Sequence, residues 1–138
     1  MNVEKFKYIF QGLTRAYGEY TPGDTKNGKV GGSAVTKRDI VSDALWKNHL
    51  EGKAPSLGIV PIRDDSTCTW GCIDIDTYPL DHKSILKRIK KLKLKITMCR
   101  SKSGGAHLFL FFEKPIEAKE VRNKLTEMSA ALGYGSSE

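Results

Sequence analysis

Residues 101–112 read SKSGGAHLFLFF, and they join a glycine-rich segment directly to an apolar one. The second half, residues 108–112, is an unbroken apolar run that predicts a buried strand. The first half places Gly104 and Gly105 before His107, at the mouth of that strand. Two interpretations of the glycines stay open. They form a simple hairpin turn that His107 caps, or they let backbone amides approach a bound phosphate.

The segments on either side of this strand predict a β-α-β-β-α order. Residues 69–76, TWGCIDID, read as a strand, and residues 82–92 read as a helix with isoleucine and leucine on one face. A strand over 94–100, the strand at 106–112 and a helix over 117–132 follow. This is the order of a ferredoxin-like fold without its last strand.

The N-terminal part predicts a smaller α/β unit. Its predicted elements are a helix within 3–13, a loop over 18–32 rich in Gly, Pro and Asn, a helix over 38–51 opened by a Thr36/Asp39 capping box, and a strand over 56–62. The fold class is therefore α+β. We predict one domain over residues 1–138, with an N-terminal α/β unit over 1–66 and an incomplete ferredoxin-like half over 67–138.

The net charge of +7 is concentrated in one segment. Residues 83–102 contain nine Lys/Arg and no acidic residue, which leaves 14 basic residues against 16 acidic ones elsewhere. Localised positive charge is typical of surfaces that bind phosphates or nucleic acid, although lysines on a solvated helix face give the same pattern. The residues that we assign to nucleic-acid binding are Lys87, Arg88, Lys90, Lys91, Lys93 and Lys95.

Composition indicates the compartment. No apolar run approaches the ~20 residues of a membrane span, and the N-terminus lacks the features of a signal peptide. We therefore expect no membrane partner and a cytoplasmic location. An odd number of cysteines agrees with reduced thiols. Cys68 and Cys72 could form half of a zinc site, but no second pair follows, which favours buried apolar thiols.

Asp74 and Asp76 lie two residues apart at the end of a predicted strand. A period of two places both side chains on the same face. Adjacent carboxylates repel each other unless a cation neutralises them, and hard oxygen ligands suit Mg²⁺ or Mn²⁺. Acidic residues at a strand end are also common on surfaces, so the pair by itself is a weak signal.

The ferredoxin-like order brings this pair close to the glycine-rich segment. In that order the strand of Asp74 pairs with the strand that begins at His107. The two motifs together predict a triphosphate pocket that faces a metal pair. Its predicted members are Arg100, Lys102, Ser103, Gly104, Gly105 and His107.

These motifs resemble those of a known superfamily. CIDID (72–76) followed by SKSGGAHLFLF (101–111) is similar to motifs I and II of the archaeo-eukaryotic primases, the primase-polymerases. Upstream, GLTRAYGEY, GKVGGSAVT, LWKNHLEGK and LGIVPIRDDSTCTWGCIDID resemble the primase domains of phages and of TOTE conflict systems. The resemblance spans about residues 8–138.

The resemblance implies a role for each motif residue. Asp74 and Asp76 are expected to bind the catalytic Mg²⁺ or Mn²⁺, and Ser103 and His107 to contact the phosphates of the incoming nucleotide. It implies an RRM-like catalytic half packed against the N-terminal α/β unit. The third motif of the superfamily, an aspartate on a later strand, has no counterpart after His107, and Asp81 lies too near the first motif to replace it.

Two functions are open on these grounds. The first is the N-terminal part of a DNA primase-polymerase, which performs metal-dependent nucleotidyl transfer and takes nucleoside triphosphates and a DNA template or primer as partners. The second is an inactive, truncated primase derivative that binds nucleic acid or a nucleoprotein partner, such as a phage-encoded inhibitor of host defence. The chain is accordingly a fragment, a processed piece or a natural short derivative.

The missing last strand leaves the strand of Asp74 at a sheet edge. We expect this edge to be filled, because exposing Ile73 and Ile75 costs ~2.5 kcal/mol per 100 Å² of apolar area. The first candidate is the segment around LGIVPI (57–62). The others are a second copy of the chain, and a protein partner or remaining polypeptide that completes the sheet.

Overall fold

The computed structural model describes residues 2–27 and 29–135, without the side chains of residues 29 and 30. It is an α+β structure with two three-stranded sheets. The chain divides into two compact units after Thr69, where the sequence predicted a division after residue 66. None of the helices within the described ranges is both long and apolar enough to cross a membrane.

The first unit is built around a short sheet. Its elements are α1 (Val3–Ile9), β1 (Tyr17–Lys26), β2 (Lys29–Lys37), α2 (Asp43–Leu50) and β3 (Ser56–Gly58). Strand β1 lies between β2 and β3 and is antiparallel to both. Trp46 of α2 is almost fully buried, and its ring meets Phe6 of α1 edge-on at 6.0 Å. These aromatic rings hold the two helices of the unit together.

Residues 18–26 and 29–32 lie in the two strands of a β-hairpin, so the predicted loop is wrong. The ladder runs from Tyr17↔Lys37 to Lys26↔Lys29, with a shift in register between Pro22 and Thr25. Most side chains of β1 are exposed, so backbone hydrogen bonds carry much of this ladder, and proline is tolerated at such an irregularity. The overlooked signal is the dipeptide Asn27-Gly28, a typical hairpin turn, and Asn27 has a φ of 52°.

Two further boundaries in the first unit differ from prediction. Because β2 continues through Lys37, Thr36 lies in a strand, and the helix begins at Asp43 after the N-cap Ser42. The predicted strand over 56–62 ends at Gly58. His49 accepts a hydrogen bond on Nδ1 from the Leu57 N–H at 3.0 Å and so links α2 to β3.

The second unit has the predicted β-α-β-β-α order. Its elements are β4 (Thr67–Ile75), α3 (His82–Lys91), β5 (Thr97–Arg100), β6 (Ala106–Glu117) and α4 (Ala118–Ala131). The strand order in the sheet is β4-β6-β5, which confirms that the strand of Asp74 lies beside the strand that begins at His107. Asp81 caps α3 by accepting a hydrogen bond from the Ser84 N–H at 3.1 Å.

The core of the second unit lies between the sheet and its helices. Ile75 and Leu108 from the strands pack with Ile85 and Ile89 of α3 and with Leu132 after α4. Leu108 is completely buried, whereas Phe111 is 37% exposed. The apolar run over 108–112 is therefore buried on one face only, because alternate side chains of a strand point to opposite faces.

The strand of Asp74 is not completed by the segment that we predicted. Strand β3 (Ser56–Gly58), which includes the first two residues of LGIVPI, pairs with β1. Within the described residues, β4 pairs only with β6. The expected cost of this arrangement was also overestimated. Ile75 is only 3% exposed, and Ile73 packs against the same core. The helices on one face of the sheet protect these side chains without a fourth strand.

Candidate functional site

The first contact of the site joins the two predicted motifs across neighbouring strands. His107 Nε2 lies 3.3 Å from Asp74 Oδ1. Both side chains remain partly accessible, His107 at 42% and Asp74 at 58%. The imidazole therefore holds one of the two carboxylates in place and leaves room for a ligand on its solvent side.

The second contact joins Asp76 to the glycine-rich loop through a residue that sequence reasoning did not select. The Tyr78 hydroxyl lies 2.9 Å from Asp76 Oδ1 and 2.6 Å from Ser103 Oγ. Ser103 Oγ in turn lies 3.3 Å from Ser101 Oγ. A chain of hydroxyl groups thus ends on a carboxylate of the predicted metal pair.

The glycine-rich loop, residues 101–105, is a hairpin connection between β5 and β6. The Ser101 N–H donates to the Gly105 carbonyl at 3.0 Å, and the Gly104 N–H donates to the Ser101 carbonyl at 3.1 Å. Gly104 has a φ of 93°, which other residues adopt only with strain. The turn interpretation is therefore correct for the backbone, and the Gly104 amide is used inside the turn.

Gly105 also explains why the loop lies against the strand of the aspartates. A Cβ atom at this position would lie 2.1 Å from the carbonyl oxygen of Ile75. Only glycine permits this close approach of the two backbones. The approach brings Ser103 within reach of the residues that follow Ile75, so the hairpin turn is at the same time one wall of the site.

His82 fixes the same loop from the start of α3. Its Nε2 lies 2.9 Å from the Gly105 carbonyl, and since a carbonyl only accepts, the ring donates. That oxygen already accepts from Ser101 N–H, so both of its lone pairs are used. Sequence reasoning missed His82, because nothing local to residues 81–84 indicates a partner 23 residues away.

An open groove of about 830 Å³ runs beside β4. The end of β4, the two residues after it, residues of α4 and the segment after α4 line it: Cys72, Ile73, Asp74, Ile75, Asp76, Thr77, Arg122, Leu125, Thr126, Ser129, Gly133, Tyr134 and Gly135. Its volume lies within the ~300–1,000 Å³ of small-molecule sites. Arg122, also missed from the sequence, brings a guanidinium group to the groove that both aspartates line.

The cysteines show the properties of packed thiols. Cys68 is buried, and burial raises the pKa of its thiol. Burial, and secondarily the charge of Asp74, raises the pKa of Cys72 to about 11. A thiol that stays protonated at neutral pH is a poor metal ligand, because the thiolate is the form that binds. These properties agree with the apolar interpretation of both residues.

The two carboxylates fit a cation site of one particular kind. Among the described residues there is no group of three or more His, Cys, Asp and Glu side chains arranged to hold a metal. Asp74 and Asp76 nevertheless line one groove, and both are exposed. Mg²⁺ characteristically keeps several waters and takes one or two carboxylates together with substrate phosphates. The donor set matches such a shared site for Mg²⁺ or Mn²⁺.

The predicted nucleic-acid-binding residues separate into two groups. All six lie exposed on α3 or in the segment that follows it, and the side chains of five of them make no hydrogen bond or ion pair within the described part of the chain: Lys87, Lys90, Lys91, Lys93 and Lys95. Arg88 differs, because its Nη1 donates to the Leu132 carbonyl at 2.7 Å and so ties α3 to the end of α4. Arg100 and Lys102, assigned to the nucleotide pocket, are exposed at the end of β5 and in the loop.

Comparison with known proteins identifies the family. No curated protein matches this sequence at a significant level. The family described as the TOTE conflict system archaeo-eukaryotic primase domain matches residues 3–133. The matched range includes both aspartates, the glycine-rich loop and Arg122. The chain therefore belongs to the family of TOTE conflict system archaeo-eukaryotic primase domains.

Proposed function

We propose that this chain is the N-terminal, nucleotide-binding part of a DNA primase-polymerase, which joins nucleotides on a nucleic-acid template in a metal-dependent reaction. The observation that carries the proposal is the meeting of the two motifs. Asp74 contacts His107 directly, and Asp76 reaches Ser103 through Tyr78. Membership of a primase family supports the class of reaction.

Each residue of the site has a role in this proposal. Asp74 and Asp76 hold Mg²⁺ or Mn²⁺, which when bound lowers the pKa of the attacking 3′-hydroxyl and neutralises charge on the phosphates. The Ser103 hydroxyl donates to a phosphate oxygen of the incoming nucleotide, and His107 contacts the phosphates while it orients Asp74. Positive charge for the triphosphate comes from Arg100, Lys102 and Arg122.

The experiment that tests the proposal is extension of a primed DNA template with Mn²⁺ and nucleoside triphosphates. We expect Asp74→Asn and Asp76→Asn each to reduce incorporation by ~10²-fold or more, as loss of a group that stabilises developing charge does. Asp24→Asn is the matched control, because Asp24 is an exposed carboxylate on β1. Wild-type rates in both site variants would contradict the proposal.

Calorimetry with Mn²⁺ tests the metal site separately from catalysis. Wild-type protein should bind Mn²⁺ weakly, because two carboxylates leave most coordination positions to water. The double variant Asp74→Asn/Asp76→Asn should lose this heat, and Asp24→Asn should retain it. Equal heats in the wild type and the double variant would remove the metal from the proposal.

Binding of single-stranded DNA tests the basic segment. Affinity should fall steeply with salt, because each phosphate contact releases counterions. Lys90→Glu/Lys91→Glu should weaken binding and flatten the salt dependence, whereas Lys5→Glu/Lys47→Glu makes the same change of charge on the first unit. A salt-independent affinity, or equal effects of the two double variants, would assign the lysines to solubility.

A second candidate is a non-catalytic protein that binds nucleic acid or a nucleoprotein partner, including a phage-encoded inhibitor of host defence. The observation that favours it is the absence of a third acidic ligand around Asp74 and Asp76 in the described part of the chain. Binding of nucleotide and DNA without any incorporation would support this candidate. A protein partner or further polypeptide that pairs with the edge of β4 opposite β6 fits both candidates.

A further inference from the structure

Tyr78 occupies a position between the two halves of the proposed site. It is 48% exposed, and its hydroxyl is the link between Asp76 on one side and Ser103 on the other. This hydroxyl connects the carboxylate pair to the loop through contacts of 2.9 and 2.6 Å. A ligand that binds Asp76 or Ser103 therefore changes the hydrogen bonds of Tyr78.

The chemistry of the three groups fixes the direction of the hydrogen bonds. A carboxylate at neutral pH only accepts, so the Tyr78 hydroxyl donates its proton to Asp76. Ser103 must then donate to Tyr78, and Ser101 donates to Ser103 at 3.3 Å. The proton that Ser103 offers is therefore committed to Tyr78 in this structure, although a phosphate ligand requires it.

Either ligand breaks one bond of this chain. A cation bound at Asp76 Oδ1, the oxygen that accepts from Tyr78, competes with the phenol for that oxygen, and a phosphate at Ser103 takes the proton given to Tyr78. Once the cation has displaced it from Asp76, the phenol can donate to Ser103 instead, and the Ser103 proton is then free for phosphate. Binding of the second ligand therefore breaks fewer hydrogen bonds than it would break in the absence of the first ligand.

We propose that Tyr78 couples cation binding at Asp76 to phosphate binding at Ser103, so that each ligand raises the affinity for the other. The inference rests on the proposed function, because it requires that both ligands bind. It adds to that proposal a residue with a defined thermodynamic role. The coupling corresponds to one hydrogen bond, which amounts to a factor of about 2–10 in affinity.

The test is calorimetry with Tyr78→Phe, which removes the hydroxyl and keeps the ring. Three affinities are measured: Mn²⁺ alone, metal-free ATP in EDTA, and the Mn²⁺·ATP complex. The variant should bind Mn²⁺ alone and ATP alone each about 2–10-fold more tightly than the wild type. Its affinity for the Mn²⁺·ATP complex should rise by one factor of about 2–10 and not by two. The reason is that the wild type, with both ligands bound, re-forms the hydrogen bond from Tyr78 to Ser103.

Two further variants make the outcome specific. Tyr20→Phe removes an exposed phenol hydroxyl from the first unit, where it donates to the Gly31 carbonyl at 3.3 Å, and it should leave all three affinities unchanged. Ser103→Ala should weaken metal-free ATP binding and also abolish the coupling. Thermal unfolding of each variant checks that the fold is retained.

The opposing results are distinct from one another. If Tyr78→Phe weakens both ligands, or leaves all three affinities at wild-type values, Tyr78 is a structural residue and the coupling is wrong. In either case the proposed function stands, because the wild type still binds both ligands. If the wild type binds neither Mn²⁺ nor ATP, the proposed function fails and the coupling fails with it.

Discussion

The hairpin of the first unit and the loop at residues 101–105 are both rich in glycine, yet glycine serves a different purpose in each. A Cβ atom at Gly32 of β2 would meet the ring end of Tyr20, with the hydroxyl oxygen at 2.3 Å. A Cβ atom at Gly105 would meet the Ile75 carbonyl at 2.1 Å. The first neighbour is the end of a half-buried side chain, and the second is the backbone of strand β4.

This difference shows why glycine content alone did not separate a strand from a functional loop. In the hairpin, the paired strands contain many small residues, and their mostly exposed side chains bury little apolar surface. In the loop, one glycine allows two backbones to touch, and that contact assembles the site. The neighbour of a glycine, rather than its number in a segment, decides what it contributes.

The largest expected effect compares the strands attached to the two segments. Leu108→Ala in β6 removes a completely buried side chain and should lower the free energy of unfolding by about 2–5 kcal/mol. Val35→Ala in β2, where the side chain is 51% exposed, should cost less than about 0.5 kcal/mol. Urea denaturation measures both, and similar losses would show that the hairpin is as tightly packed as the core.

The next effect tests the two glycines directly. Gly105→Ala should lower the free energy of unfolding by about 1–3 kcal/mol, because backbone or core atoms must shift to admit a methyl group. Gly32→Ala should cost clearly less, since the Tyr20 ring can rotate away toward solvent. Urea denaturation measures both losses of unfolding free energy. Equal losses would mean that the backbone at Ile75 moves aside as easily as the Tyr20 side chain.

A smaller effect separates strain from crowding. Gly104 has a φ of 93° and open space around the position of a Cβ atom. Gly104→Ala should therefore cost about 1–2 kcal/mol from backbone strain alone. Gly52 in the first unit has a φ of 71° and open space as well, so Gly52→Ala should cost the same amount. A much larger loss at Gly104 would point to contacts of the loop that geometry does not show.

The smallest effect concerns the hydroxyl of Tyr20 in the hairpin. Tyr20→Phe removes an exposed hydrogen bond of 3.3 Å to Gly31 and should change the free energy of unfolding by less than about 0.5 kcal/mol. Thermal unfolding followed by circular dichroism is sufficient to detect a larger change. A loss above 1 kcal/mol would show that this phenol stabilises the hairpin as a buried group does.

Sequence patterns predicted the second unit better than the first. In the second unit, apolar periodicity in residues 82–92 and 117–132 and the alternation around Asp74 marked helices and a strand that the structure confirms. In the first unit the hairpin depends on backbone pairing between residues that are mostly exposed, which leaves no clear apolar period to read. The helix that begins at Asp43 was placed too early because a strand occupies the preceding residues.

The site was predicted in part for a related reason. Asp74, Asp76, Ser103 and His107 belong to local motifs, and the strand order explains their meeting. Tyr78, His82 and Arg122 carry no local signal. Tyr78 and His82 reach partners 25 and 23 residues away through single polar contacts, and such contacts follow only from how the backbones pack.

The sequence by itself determined the β-α-β-β-α order of the second unit and the family of the chain. Those properties depend on local periodicity and on motifs that are continuous in sequence. Only the tertiary structure decided that the glycine-rich loop touches the strand of Asp74, and that Tyr78 joins Asp76 to Ser103. The physical reason is that one close backbone approach, at Gly105 and Ile75, sets these distances, and no local pattern encodes it.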